Sequence, residues 1–340
     1  MIALRLLADR DLRLTEAPPP PPPAPGEVQI AIKAVALNHI DVWGWRGMAF
    51  AKRSLPLTVG AEAVGEVTSV GEGVTALRPG QRVVPYGGMT CGTCRQCLAG
   101  RDNLCENVAG VRGFHVDGFA QGLVNMPARL CVPVPEGVSI EDAACASITF
   151  ATVQHMLFDN ARLEPGETVL VHAAGSGIGS AAVRMAKAIG CTVIGTVGDE
   201  EKAAKARALG ADHVVNYNQD RFESVARRVT GKRGVDVVFE HVGAATWQGS
   251  LLSMKMGGRL VTCGSTSGVS AETNLMMLFQ RQLRLIGSFG ATVRNVAEGL
   301  DKMAHGIRPV LDSVLPLDRF EAGLARLESR KVFGKIVVTL

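Results

Sequence analysis

The chain has 340 residues, enough for two domains of ordinary size; it is 47% hydrophobic and 20% charged, with 39 glycines and a formal charge of +4. Its lysines and arginines are scattered rather than run together, which argues against nucleic acid as a partner. No stretch approaches the roughly 18 continuous apolar residues of a membrane span, and MIALRLLADRDLRL, interrupted by Arg5, Asp9 and Arg10, reads as a first strand and turn rather than a secretion signal. A cytoplasmic protein is expected, and in a reducing compartment clustered cysteines point to metal before disulfides.

Along the chain, PPPPPPAP (Pro18 to Pro25) predicts a rigid polyproline II connection on the surface, since proline fixes φ and has no N–H. VQIAIKAVAL (28–37), GEVTSVG (65–71) and QRVVPY (81–86) are β-branched runs punctuated by Gly and Pro, and predict strands. Next comes CGTCRQCLAGRDNLC, in which Cys91, Cys94, Cys97 and Cys105 have the spacing C-x2-C-x2-C-x7-C. Three thiolates two residues apart can wrap one ion, a fourth closes a tetrahedron, and Gly92 and Gly100 give the loop its freedom. Ferredoxin-type clusters have a short third gap and a following proline, both missing here. Four thiolates leave zinc no open position, so one structural zinc per subunit is expected.

From about residue 140 the rhythm changes. IEDAACASITFATVQHMLFDN predicts a helix starting after Ser139, with Glu141 and Asp142 in its first turn. ETVLVHAAGSGIGSAAVRMAKAIG predicts strand, glycine turn and helix. CTVIGTV, HVVNY, VDVVFEHV, GRLVTCG and LRLIGSFG predict further strands with helices between them, and the tail adds a helix and a closing strand. Strands alternating with helices make an α/β fold with a doubly wound parallel (Rossmann) sheet.

The turn after VLVHA carries chemistry. Gly175, Gly177 and Gly179 let the backbone turn tightly, so that Ala174, Gly175, Ser176, Gly177, Ile178 and Gly179 offer a pyrophosphate a helix N-terminus. Ala173 stands where a strict G-x-G-x-x-G would have its first glycine. The second strand ends IGTVGDEEK, with Val197 and Gly198 where an acidic residue would select NAD. Its absence leans toward NADPH, with Lys202 in plausible reach of a 2′-phosphate, although the acids at 199 to 201 pull the other way.

Taken together, the four-cysteine loop, the nicotinamide turn, LPLTVGAEAVGEVTSVGEGVTALRPGQRV and CASITF resemble the zinc-type medium-chain dehydrogenase/reductase superfamily over essentially the whole chain. The resemblance implies a GroES-like β-rich catalytic domain at 1–145 and 292–340 and a Rossmann domain at 146–291. It also implies a soluble homodimer or tetramer, paired through LRLIGSFG. In the alcohol dehydrogenase branch a second, catalytic zinc is held by a cysteine, a histidine before a glutamate and a hinge-helix cysteine. Those positions here are Asn38, Ala61 (followed by Glu62) and Cys145, with Ile40 where the branch has its proton-relaying Ser/Thr. Asn38 and Asp41 in NHID instead resemble the quinone oxidoreductase branch, which lacks that zinc and uses NADPH. There, the positions of Lys202, Tyr217 and Arg330 surround the 2′-phosphate.

The function expected from this is hydride transfer from NADPH to a small carbonyl or quinone substrate, a quinone or an α,β-unsaturated carbonyl, without catalytic zinc. Asn38, His39 and Asp41 are the candidate catalytic residues: Asn38 as a hydrogen-bond donor to the acceptor, His39 as a proton relay, Asp41 holding the loop, with Trp43 or Trp45 as a pocket wall. Two alternatives remain open: an alcohol dehydrogenase with an atypical zinc site built from Glu62, Cys145 and His39, or a non-catalytic NADPH-binding protein.

Overall fold

The computed structural model describes residues 1–48 and 53–340 and divides into two compact units, Met1–Ala151 with Ala291–Leu340, and Thr152–Gly290. In the first unit, Ile2–Ala8 and Asp11–Glu16 form the expected opening hairpin. The main sheet is built on Glu27–Ala36. Its first half alternates in burial, with Val28, Ile30 and Ile32 inward, and at Ala34–Ala36 every residue is buried. Ala63–Val70, Leu123–Pro127 and the C-terminal strand Lys335–Thr339 all pair with it antiparallel. The chain's last strand therefore lies beside one of its first. The proline tract has no regular structure, and Gln29 and Asn125 donate side-chain hydrogen bonds to the Pro21 carbonyl.

The expected helix after Ser139 is present but broken. Ser139 caps Ile140–Ala143 by accepting from the Asp142 N–H (3.1 Å), and the chain continues as π turns at Ala146–Phe150 and His155–Asn160 around one α turn, Ala151–Gln154. Each π turn takes in one extra residue, as in the Phe150 N–H to Cys145 carbonyl bond (3.1 Å). Residues 146–150 pack against the helix Val293–Ala304, where Gly299 leaves room for Phe150; a Cβ on Gly299 would lie 3.0 Å from that of Phe150. Residues 146–151 thus fall in the first unit rather than the second. Val293–Ala304 and the strand Leu311–Pro316, neither of which stood out in the sequence, complete this unit.

The second unit is a six-stranded parallel sheet. The strands run His213–Asn216, Thr192–Val197, Thr168–Val171, Val235–Glu240, Met254–Thr262, Arg284–Gly287 in space. The inner strands are apolar on both faces, as a sheet covered by helices requires; Val169, Leu170, Val171, Val237, Val238 and Phe239 are all fully buried. Chain order reverses between Thr168–Val171 and Val235–Glu240, and the carboxyl ends of the strands at such a reversal are where sheets of this kind bind ligands. The edge strand Arg284–Gly287 has exposed Phe279 and Phe289 close in sequence on either side. Among the described residues no helix is long and apolar enough to cross a membrane.

Candidate active site and metal centre

The four cysteines converge. One ligand atom from each of Cys91, Cys94, Cys97 and Cys105 lies within 4.8 Å of the others, with Sγ–Sγ distances of 3.5 Å (Cys91–Cys105), 3.9 Å (Cys91–Cys97) and 4.0 Å (Cys94–Cys105). A tetrahedral ion with metal–sulfur bonds of about 2.3 Å needs sulfurs about 3.8 Å apart. Backbone N–H groups of Thr93 and Cys94 point at the Cys91 sulfur, lowering its thiol to about 5, and those of Cys91 and Asn107 point at Cys105. The donor set therefore fits zinc, and among the described residues it is the only group of three or more His, Cys, Asp or Glu side chains whose ligand atoms converge. Gly92 (φ +76°) is under the Arg129 side chain, which hydrogen-bonds Thr90; a Cβ there would meet Nε at 2.8 Å.

A different cluster occupies the Asn38 region. Glu62 is fully buried, and its Oε1 accepts the backbone N–H groups of Ile148 (2.6 Å) and Thr149 (2.7 Å). Its Oε2 accepts from Thr149 Oγ1 (3.1 Å), Asn38 Nδ2 (3.0 Å) and the Lys335 ammonium (3.1 Å). Lys335 also donates to the Leu37 carbonyl (2.6 Å) and Asn38 Oδ1 (2.7 Å). Asn38 Nδ2 has a second acceptor in the Ala36 carbonyl (3.0 Å), so both amide hydrogens and the amide oxygen are engaged. The expected role of Asn38 as a donor to substrate does not match this arrangement: its amide holds Lys335 and Glu62 together.

Asp41 lies beneath, accepting the N–H groups of Asn38 (2.8 Å) and Ala61 (3.1 Å); burial raises its carboxyl to about 7 against those bonds and the nearby Lys335. These bonds tie the backbone at Asn38 to that at Ala61. Cys145 is fully buried, its thiol pushed up by burial and directed at the Glu141 carbonyl. His39, one turn from Trp43, is exposed. Trp45 is no pocket wall: it is buried, with Nε1 on Glu321 (3.1 Å) and the Arg10 guanidinium over its ring.

At the glycine turn, Ser176 caps the helix Gly177–Ala188 by accepting the Gly179 N–H (2.9 Å). Gly179 approaches the backbone so closely that a Cβ would lie 2.2 Å from the Ala173 carbonyl oxygen. Ala174 and Gly175 are buried, while Ser176, Gly177 and Ile178, at the N-terminus of that helix, remain partly open. At the end of the neighbouring strand, the Tyr217 hydroxyl packs on Gly198, where a Cβ would sit 2.5 Å away, and Asn218 Nδ2 donates to the Gly198 carbonyl (2.6 Å). Lys202 Nζ is 3.8 Å from Asp199, whose carboxylate caps the helix Glu200–Ala208. Arg330 belongs to the other unit, in a left-handed conformation (φ +58°) after the helix Phe320–Glu328.

The description "Alcohol dehydrogenase GroES-like domain" matches residues 24–136, and "Zinc-binding dehydrogenase" matches residues 177–305. An acryloyl-coenzyme A reductase of Metallosphaera sedula is 33% identical over 92% of this chain and 92% of its own. The chain belongs to the medium-chain dehydrogenase/reductase superfamily. Its relatives within that superfamily differ in chemistry. A quinone oxidoreductase of Salmonella typhimurium is 33% identical over 75% of this chain and 69% of its own. The crystal structure of an NAD-dependent alcohol dehydrogenase superimposes with a TM-score of 0.94 at 39% identity, covering 100% of both chains.

For a member of this superfamily, the residues that sequence reasoning missed are informative. Lys335 opens KIVVTL, an otherwise apolar strand, and a lysine there needs a buried anion; that was the available signal. His172 and Glu240 end the apolar runs VLVH and VDVVFE, and both are fully buried beside the glycine turn.

Proposed function

We propose that this chain transfers hydride from NADPH to an electron-poor acceptor, a quinone or the β-carbon of an α,β-unsaturated carbonyl, without a catalytic metal. The observation that carries the reading is the closed Glu62–Lys335–Asn38 cluster. Glu62 has five hydrogen-bond donors, one of them the buried Lys335 ammonium, so recruiting it to zinc would strand Lys335. Its would-be companions are a protonated buried thiol, Cys145, and an exposed imidazole, His39. Without a Lewis acid, an alkoxide at neutral pH has little to stabilise it. A conjugated acceptor delocalises the incoming charge, and hydrogen bonds suffice.

In this reading the four-cysteine loop holds one structural zinc, and the glycine turn binds the pyrophosphate of the nicotinamide cofactor, which supplies the hydride. Lys202 and Tyr217, beside the end of the second strand of the parallel sheet, meet the 2′-phosphate. His39, being exposed, relays the proton, while Asn38 and Asp41 position its loop. The exposed apolar residues beside Arg284–Gly287 support a homodimer, or a tetramer of such dimers, joined at that sheet edge.

A panel of quinones and enones, assayed by NADPH oxidation alongside primary and secondary alcohols with NADP+ and NAD+, tests the proposal. Turnover of the conjugated acceptors with NADPH preferred over NADH is expected. Alcohol oxidation with NAD+ as the dominant activity would overturn it and favour the alcohol dehydrogenase reading.

A further inference from the structure

Ala173 is the first residue of the glycine turn and has φ +44°, in the left-handed region that alanine resists and glycine adopts freely. Something must hold it there. Its N–H donates to Thr196 Oγ1 (3.1 Å), and the next N–H, that of Ala174, donates to the Thr196 carbonyl (2.9 Å). Thr196 is in turn part of a buried chain of polar side chains. His172 Nδ1 lies 3.3 Å from Thr196 Oγ1, His172 Nε2 lies 2.8 Å from Ser250 Oγ, and Ser250 Oγ donates to Glu240 Oε2 (2.9 Å).

With Glu240 ionised and His172 neutral, as its burial favours, the hydrogens in this chain run one way. Glu240 also accepts from Thr246 Oγ1 (2.7 Å) and from the backbone N–H groups of Val242 (2.7 Å) and Gly243 (3.1 Å), all donors that an anion satisfies. Ser250 has given its single hydrogen to Glu240, so it accepts from His172 Nε2–H. The bare Nδ1 then accepts the Thr196 hydroxyl hydrogen, which leaves the Thr196 lone pairs for the Ala173 N–H. The His172 carbonyl accepts from His241 Nε2 (2.9 Å) across the point where strand order reverses.

We propose that Glu240, Ser250, His172 and Thr196 are positioning residues for the dinucleotide turn: their ordered hydrogen bonds hold Ala173 in the left-handed conformation that shapes the pyrophosphate cradle. The tether does the work that a first glycine would do unaided, and it rests on the reading of this turn as the cofactor site.

The test is a double-mutant cycle on the full-length protein, with dissociation constants for NADPH and NADH as the readout. Thr196→Val removes the hydroxyl with little change of shape and weakens the preferred nucleotide about tenfold. In an Ala173→Gly background the same change costs less than about twofold, because glycine needs no tether, and Thr196→Ser restores wild-type affinity. Equal losses in both backgrounds would overturn the inference while leaving the cofactor reading intact. Wild-type protein that binds neither nucleotide would remove the cofactor reading and the inference together. If Thr196→Val does not fold, the ¹⁵N spectrum of His172 in the wild type decides: the tether requires hydrogen on Nε2 and a bare Nδ1, and a hydrogen on Nδ1 contradicts it.

Discussion

Glu62 in the first unit and Glu240 in the second are both fully buried carboxylates, and each is hydrogen-bonded on both oxygens. They solve the cost of burial differently. Glu62 is neutralised by a buried cation, Lys335, whereas Glu240 is met by four uncharged donors, two of them backbone N–H groups at the start of the helix Ala244–Ser253. The first arrangement ties up a carboxylate beside positions that carry zinc ligands in alcohol dehydrogenases. The second leaves the polar chain running outward to the glycine turn. A charge partner closes a site, and an array of dipoles can pass order on to its neighbours.

The contrast predicts unequal sensitivity. Lys335→Met strands Glu62 without its cation and should lower unfolding stability by about 3–5 kcal/mol, with most of the loss recovered in the double variant that also carries Glu62→Gln. Glu240→Gln leaves a donor facing donors but strands no charge, so a smaller loss of about 1–3 kcal/mol is expected from denaturant titration. Losses of equal size at the two sites would mean that Lys335 is not the counterion that matters. A smaller, pH-dependent effect belongs to Asp41. Its carboxyl is raised to about 7 in the folded protein, so the folded state binds the extra proton, and its contribution to stability is lost as pH rises from about 4 through 7. Wild type should therefore lose stability relative to Asp41→Asn over that window; parallel profiles would show that Asp41 is already ionised at the lower end.

Much of the fold was legible in the sequence because its signals are local. The β-branched runs, the glycine turn, the capping Ser139 and the cysteine spacing each act over a few residues, and each appears where those patterns indicate. The π turns at 146–150 and 155–160 were not legible, since an inserted residue leaves an apolar helical segment looking like any other. Nor was the Asn38 cluster, because it depends on Lys335, 297 residues away in sequence and brought alongside only when the C-terminal strand pairs with Glu27–Ala36. The sequence pattern at Asn38 and Ala61 indicates a broken zinc site; in the structure Lys335, Glu62 and Asn38 form one hydrogen-bonded network, which engages both hydrogens and the oxygen of the Asn38 amide.

In the proposed function, the metal bound by the four cysteines stands apart from the reaction. Metal analysis of purified protein that is actively reducing an enone or quinone tests this most directly. One zinc per chain, retained by Glu62→Gln and lost on replacing Cys94 by serine, is expected. Two zinc ions per chain, with the second lost in Glu62→Gln together with activity, would contradict it.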